Sequence, residues 1–311
     1  MKYERINSEL FVLNRQNFTK HLKDNSLAIF NANDIMPTNA DGTMKFIQNK
    51  DLFHLSGVDQ EESILVVFPD AFNEDHKEIL FLKETNDHIA RWEGAKLDKK
   101  SATETSGIKT VYWLQEFDNV LKNLMSQAEY VYLNSNEHLR NSSEVETRDD
   151  RFRKSWMSQY PLHKYERSEP IMHKIRSIKS QIEVDLMQHS SDINTKAFQR
   201  VLKFIKPGVA EYEIEAEFLH EFARNRADGF SYEPIIANGS NACVLHYIEN
   251  NDTLKDGDLL LLDCGCWYAN YASDVTRAFP VNGKFSPRQK EVYSAVLRVQ
   301  KAALNLLRPG N

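Results

Sequence analysis

The chain has 311 residues, which is enough for two domains, and a formal net charge of -6 at pH 7. With a sequence pI near 6.0, it offers no general basis for binding nucleic acid or an anionic membrane, so we expect neither as a partner. No apolar stretch is long enough to span a membrane, and the first residues lack the apolar core of a signal peptide. The three cysteines fit reduced thiols better than a disulfide framework, and a cytoplasmic location is expected.

The first part of the chain alternates short apolar runs with helical segments. The runs that read as strands are residues 27–30, 64–68, 79–82, 110–114 and 130–133. A helix is predicted over 117–125. Alternation of this kind predicts an α/β domain.

A polar segment separates this part from the next. Residues 141–165 are rich in charge and have little periodic apolar content, which predicts a surface excursion leading into a linker. The predicted domains are therefore residues 1–170 and residues 171–311.

The second domain is predicted to begin with two helices and to end with one. An apolar stripe runs from Ile182 to Ile205 and stops at Pro207. A second amphipathic helix follows and is predicted to end near Asp228; its apolar face consists of Ile214, Phe218, Leu219, Phe222 and Ala223. A capping box opened by Ser286 predicts a last helix that continues to Leu307.

Two aspartates flank the most informative stretch, residues 259–279. Asp263 follows a four-leucine run that reads as a buried strand, and Asp274 precedes residues 275–279, which read as its hairpin partner. Two carboxylates held together at such strands are costly unless a cation neutralises them, and a divalent cation removes that cost. The alternative is that each aspartate only caps a turn.

Motifs around the pair extend over much of the second domain. They are residues 239–247 (GSNACVLHY), 263–265 (DCG), 272–277 (ASDVTR) and 283–289 (GKFSPRQ). Together they resemble the peptidases of the creatinase/aminopeptidase or pita-bread fold, and within it the Xaa-Pro aminopeptidases (aminopeptidase P), with prolidase as the nearest relative. Residues 46–57 (FIQNKDLFHLSG) resemble the creatinase-like N-terminal domain of that family. The resemblance implies an α/β (α+β) protein in which this N-terminal domain precedes an incomplete pita-bread domain.

The resemblance also implies a site that contains two divalent metal ions. Asp263 would bind one ion and Asp274 would bridge both, and carboxylate and imidazole ligands favour manganese. His246 would be a catalytic and substrate-binding residue that does not ligate metal. Tyr232 falls at a substrate-binding position, with a role in the core as the open alternative. A thiolate site at Cys264 and Cys266 would lack its remaining ligands.

The family's other ligands, a histidine and two glutamates, lie downstream of the last predicted helix. We therefore expect the 311-residue chain alone to be inactive, with apolar surface exposed at residues 259–262. The function implied for the complete form is metal-dependent release of an N-terminal residue preceding proline, from a proline-containing peptide. The alternatives are a noncatalytic pita-bread binding protein, or a prolidase acting on Xaa-Pro dipeptides. A homo-oligomer is left open.

Overall fold

The computed structural model describes residues 3–311. The chain forms two compact units, residues 5–180 and residues 181–311 together with residues 3 and 4. The sequence placed the division at residue 170, whereas the contacts place it after Ser180. None of the helices between residues 3 and 311 is long and apolar enough to cross a membrane.

The first unit is built on one six-stranded sheet. Its strands are β1 (Ser26–Asn31), β2 (Ile64–Val67), β3 (Glu78–Leu82), β4 (Thr110–Trp113), β5 (Tyr130–Leu133) and β6 (Lys164–Arg167). Their order is β4-β3-β2-β1-β5-β6; β2 pairs antiparallel with β1 and β3, and the other neighbours are parallel. Five of these strands were predicted, and the α/β class is confirmed.

Helices cover both faces of this sheet. They are α1 (Glu9–Thr19), α2 (Lys50–Ser56), α3 (Asp87–Glu93), α4 (Lys99–Ser106), α5 (Phe117–Met125), α6 (Arg148–Gln159) and α7 (Glu169–Ser177). One core contains Leu52 and Met172, and the other contains Leu121 and Trp156. Strands buried between two apolar layers read as continuous apolar runs, which is why the sequence revealed them.

The prediction for residues 141–165 was wrong, because this segment contains α6 and leads directly into β6. Thr147 and Asp150 form a capping box that starts α6. The helix is polar over most of its surface and packs through Trp156, which stacks on Phe152. These two aromatic residues, four positions apart, are too few to produce a periodic stripe, so the helix could not be recognised from hydrophobic pattern alone.

The second unit contains three helices and two small sheets. The helices are α8 (Gln181–Phe204), α9 (Glu211–Arg224) and α10 (Pro287–Leu306). The strands are β7 (Gly229–Phe230), β8 (Ile235–Asn238), β9 (Leu259–Cys264), β10 (Cys266–Tyr268), β11 (Tyr271–Ala272) and β12 (Val275–Pro280). One sheet has the order β11-β10-β7 and the other β12-β9-β8. The capping box of Ser286 with Gln289 at the start of α10 is confirmed.

The four-leucine strand is buried on alternate residues. In β9, Leu260 and Leu262 are fully buried, whereas Leu259 and Leu261 are half-buried. The prediction that this strand is fully buried was therefore wrong, and so was the prediction that residues 259–262 expose a continuous apolar surface. One face of the strand packs inward, whereas the other is partly open. The larger exposed apolar surface lies on α10, none of whose residues is buried.

Candidate active site

The pairing of β9 with β12 brings Asp263 and Asp274 to one face of a sheet. Asp263 lies in β9 opposite Thr276 of β12, and Asp274 lies two residues before Thr276. Because side chains alternate along a strand, Asp274 is on the same face as Thr276 and therefore as Asp263. The antiparallel pairing predicted from the sequence is confirmed. A second hairpin, β10 with β11, occupies the connection between the two strands.

Tyr232 joins the two carboxylates. Its hydroxyl lies 2.6 Å from Asp263 Oδ1 and 3.1 Å from Asp274 Oδ1, so one O–H donates to a pair of acceptors. Burial and the hydrogen bond to Asp263 raise the pKa of Tyr232 well above its ordinary value, which keeps the phenol protonated as a donor. The hydroxyl therefore lies within hydrogen-bond distance of both carboxylates. Of the two aspartates, Asp263 is half-buried and Asp274 is exposed.

Gly265 allows this close approach. An ideal Cβ at this position would lie 2.1 Å from both Ser231 Oγ and the backbone oxygen of Ser273. The same Cβ would lie 2.8 Å from Cε1 of Tyr232. A side chain at residue 265 would thus displace the tyrosine from the carboxylates, which accounts for glycine after Asp263 in the DCG motif.

His246 lies apart from this hydrogen-bonded group. It follows the short 3-10 helix Gly239–Cys243, and its side chain is exposed. Over residues 3–311, no hydrogen bond or ion pair joins it to Asp263, Asp274 or Tyr232. The structure therefore brings together three of the four predicted site residues.

Glu211 fixes the segment that carries His246, and sequence reasoning missed it. Its side chain is fully buried, and one carboxylate oxygen accepts from the backbone N–H of Asn238 at 2.7 Å. The other accepts from the Tyr247 hydroxyl at 2.7 Å and the Asp252 N–H at 2.9 Å. Burial and the bond to Glu211 raise the pKa of Tyr247 to about 12. Glutamate in a first helical turn is the ordinary choice for the helix dipole, so the sequence carried no sign of this role.

The donors at the site suit a hard cation only in part. Asp263 and Asp274 supply carboxylate oxygens, and neither has a Lys, Arg or His partner within 4.0 Å in residues 3–311. No group of three or more His, Cys, Asp or Glu able to hold a metal occurs in that range. The two carboxylates therefore fit part of a metal site, and a pair of dications needs further ligands.

The cysteines beside the aspartates do not supplement them. Cys264 and Cys266 are buried, and burial raises the pKa of Cys264 well above its ordinary value and that of Cys266 to about 12. Metal ligation requires the thiolate, which this burial disfavours. The side chain of Cys264 also alternates to the face of β9 opposite Asp263.

Two family models match the chain. The aminopeptidase P N-terminal domain matches residues 11–132, and metallopeptidase family M24 matches residues 185–311. A Haemophilus influenzae Xaa-Pro aminopeptidase is 37% identical, over 88% of this chain and 61% of the relative. An Escherichia coli Xaa-Pro aminopeptidase is 32% identical, over 98% of this chain and 69% of the relative.

Solved structures agree with the sequence comparisons. Pseudomonas aeruginosa aminopeptidase PepP superposes with a TM-score of 0.89 at 30% identity, covering 98% of this chain and 69% of that one. Zinc-substituted E. coli aminopeptidase P in complex with product has a TM-score of 0.86 at 30% identity, covering 99% and 70%. The chain spans 61% of the H. influenzae relative's length. With both domains matched in the order found here, the chain belongs to the aminopeptidase P family of M24 metallopeptidases.

Proposed function

We propose that the whole protein is a metal-dependent Xaa-Pro aminopeptidase that removes an N-terminal residue preceding proline. The observation that carries the proposal is the Asp263–Tyr232–Asp274 group within a domain of the M24 family. The relatives named Xaa-Pro aminopeptidase support the reaction and the peptide substrate. A noncatalytic pita-bread protein would have no need for two carboxylates without a cationic partner on one face of a sheet.

Asp263 and Asp274 would hold the metal through their carboxylate oxygens. Oxygen ligands favour hard ions such as Mn²⁺, and a bound pair of divalent ions would supply a hydroxide nucleophile and polarise the scissile carbonyl. Tyr232 would orient the two carboxylates through its hydroxyl.

His246 would act on the substrate. Its exposed position after Gly239–Cys243 supports contact with a peptide, where it could donate a hydrogen bond to the oxygen that gains charge during hydrolysis. Glu211 would hold the backbone on both sides of this histidine.

We also propose a cytoplasmic location. The support is that Cys243, Cys264 and Cys266 are all free thiols, which is the state expected in a reducing compartment.

Activity can be tested in a fusion of residues 1–311 to the remaining carboxyl-terminal part of the E. coli relative. With Mn²⁺, the fusion should cleave an Xaa-Pro-Yaa tripeptide, and the 311-residue chain alone should show no appreciable turnover. Asp274→Ala should lower metal content and nearly abolish hydrolysis, whereas His246→Ala should keep the metal and lose turnover. Full activity in the Asp274 variant would refute the metal assignment.

Substrate length separates the two peptidase alternatives. Faster cleavage of Xaa-Pro-Yaa than of the dipeptide Xaa-Pro supports an aminopeptidase P, and the reverse order would identify a prolidase.

A further inference from the structure

A cleft in the first unit lies outside the carboxyl ends of two parallel strands. It has a volume of about 780 Å³, and Asn49, Asp51, Asn134, Asp149, Met172 and Arg176 are among the residues lining it. β1 ends at Asn31, and β5, its parallel neighbour, ends one residue before Asn134. In α/β sheets this edge is where ligands commonly bind. We call this space the N-terminal cleft.

Asp149 brings a carboxylate without a cationic partner to the cleft. Its Oδ1 accepts from Asn31 Nδ2 at 2.9 Å, and its Oδ2 lies 3.4 Å from Asn49 Nδ2. No Lys, Arg or His in residues 3–311 lies within 4.0 Å of it. Burial, together with the nearby charge of Asp51, raises the pKa of Asp149 to about 7 despite the hydrogen bond from Asn31 and the positive charge of Arg148. The carboxylate is thus only partly compensated, by a cation that forms no ion pair with it within 4.0 Å.

The neighbouring acid is already neutralised. Asp51 Oδ1 accepts from Arg176 Nη1 at 2.7 Å, and Asp51 Oδ2 accepts from Asn134 Nδ2 at 3.2 Å. Of these two carboxylates, that of Asp149 is therefore the one without an ion pair. A single positive charge would suffice, whereas a dication would be left with too few charged ligands to repay its dehydration.

Asn134 adds a second, independent feature. Its side chain is 4% exposed, and its Oδ1 has no hydrogen-bond partner. The bond from its Nδ2 to Asp51 fixes the orientation of the amide, so that the free atom is an acceptor. Because an unpaired buried acceptor is costly, a ligand with N–H donors would remove that cost.

The wall of the cleft is partly apolar. Met36, Met44 and Ile47 line it and are 42%, 58% and 43% exposed. Flexible methionine side chains can pack on varied apolar groups.

We propose that the N-terminal cleft binds a primary ammonium group attached to an apolar chain, with Asp149 and Asn134 accepting from the N–H groups and the methionines contacting the chain. Such a group is found at the N-terminus of a peptide with an apolar first residue and on a lysine side chain. The site involves neither Asp263 nor Asp274 and does not rest on the proposed peptidase activity.

The test is calorimetric titration of the 311-residue chain with n-hexylamine at about pH 8, where Asp149 is ionised. Hexylamine should bind, and n-hexanol, which has the same chain without the charge, should not. Asp149→Asn should weaken hexylamine binding about tenfold or more, as expected for a lost charge-assisted hydrogen bond. The matched control Asp118→Asn, an exposed aspartate of α5, should leave binding unchanged.

Further probes identify the source of the ammonium. Leucyl-phenylalanine amide carries a free N-terminus, and acetyl-lysine methylamide carries only the side-chain ammonium; the tighter binder is the better mimic. Asp263→Asn should not affect hexylamine. Equal binding of hexanol, unchanged binding in Asp149→Asn, loss in Asp263→Asn, or Mn²⁺ binding that depends on Asp149 would each overturn the proposal.

Discussion

Tyr232 shows how one hydroxyl can define a site. Two carboxylates on one face of a sheet repel each other, and the O–H of Tyr232 offsets part of that repulsion from 2.6 Å and 3.1 Å. A motif match could place this residue near a pocket, but the contact itself arises from the backbone before β8 passing Gly265. Long-range approaches of this kind are invisible to local sequence pattern.

Tyr232→Phe removes this hydrogen bond while keeping the ring. We expect the free energy of unfolding of the metal-free chain to fall by about 1–2 kcal/mol, since the bond is charge-assisted and the carboxylates stay partly hydrated. Urea unfolding measures the change. The control is Tyr112→Phe in the first unit, which removes a hydroxyl with a weaker hydrogen bond. Its free energy of unfolding should fall by less. An unaltered midpoint for Tyr232→Phe would show that the bridge contributes nothing to stability.

Asp149 should make stability depend on pH. Its pKa is about 7 in the fold, above the ordinary value of 3.8, so the folded state favours the protonated form. The contribution of Asp149 to the free energy of unfolding is therefore fully present below about pH 4 and is lost as the pH rises through about 7. Asp149→Asn should therefore match the original chain near pH 4 and exceed it by about 1–3 kcal/mol near pH 8, after discounting for partial exposure.

Chemical unfolding at the two pH values measures this difference. Asp118→Asn should show no such change, as expected for an exposed side chain. A variant that is less stable than the original chain at both pH values would mean that Asp149 is favourably ionised in the fold.

Among the elements, apolar strands were easier to predict than polar ones. β1 to β5 have apolar cores flanked by turns, and their bounds fall within a residue or two of those predicted. β6, whose sequence is KYER, pairs at the sheet edge through its backbone, so its side chains carry little pattern. The hairpin of β10 and β11 was also missed; its turn uses Ala269 and Asn270 at positive φ, and alanine is not a turn signal.

Glu211 connects α9 to the segment 238–252, and this link can be tested. Glu211→Ala leaves the N–H groups of Asn238 and Asp252 without their acceptor, so their amide hydrogen exchange should accelerate about tenfold or more. Glu211→Gln keeps one acceptor oxygen and should have a smaller effect.

Glu213→Ala is the matched control, because Glu213 is on the same helix and instead accepts from the Ala210 N–H. Exchange over 238–252 should stay protected in that variant. Equal exchange in the Glu211→Ala variant and the unmodified chain would mean that other contacts hold the segment around His246.

For the whole molecule, the family motifs predicted more of the fold and of the candidate site than the hydrophobic and turn patterns did. The DCG and ASDVTR motifs located the strand pair and its two aspartates, and the comparisons confirmed the family. Pattern alone left open whether the aspartates bind a cation or cap turns, since both readings place carboxylates beside strands. Neither approach could find Asp149, because its environment depends on Asn31 and Asn49, which lie about 100 residues or more away in the sequence.

The helix α10 carries several exposed apolar side chains. Val296, Val299 and Leu306 are 63%, 69% and 67% exposed. The helix is held by its capping box and by Gln289 Nε2, which donates to the Gly257 oxygen. Apolar side chains exposed in this way gain no burial from the rest of the described chain.

Manganese titration of the 311-residue chain tests most directly whether Asp263 and Asp274 form a metal pair. We predict weak binding, with Kd on the order of 0.1–1 mM, because two carboxylates leave each ion mostly hydrated. Asp263→Asn and Asp274→Asn should each abolish it, and Asp149→Asn should leave it intact. Unchanged binding in the Asp274 variant, or tight binding of two ions by the original chain, would contradict the account.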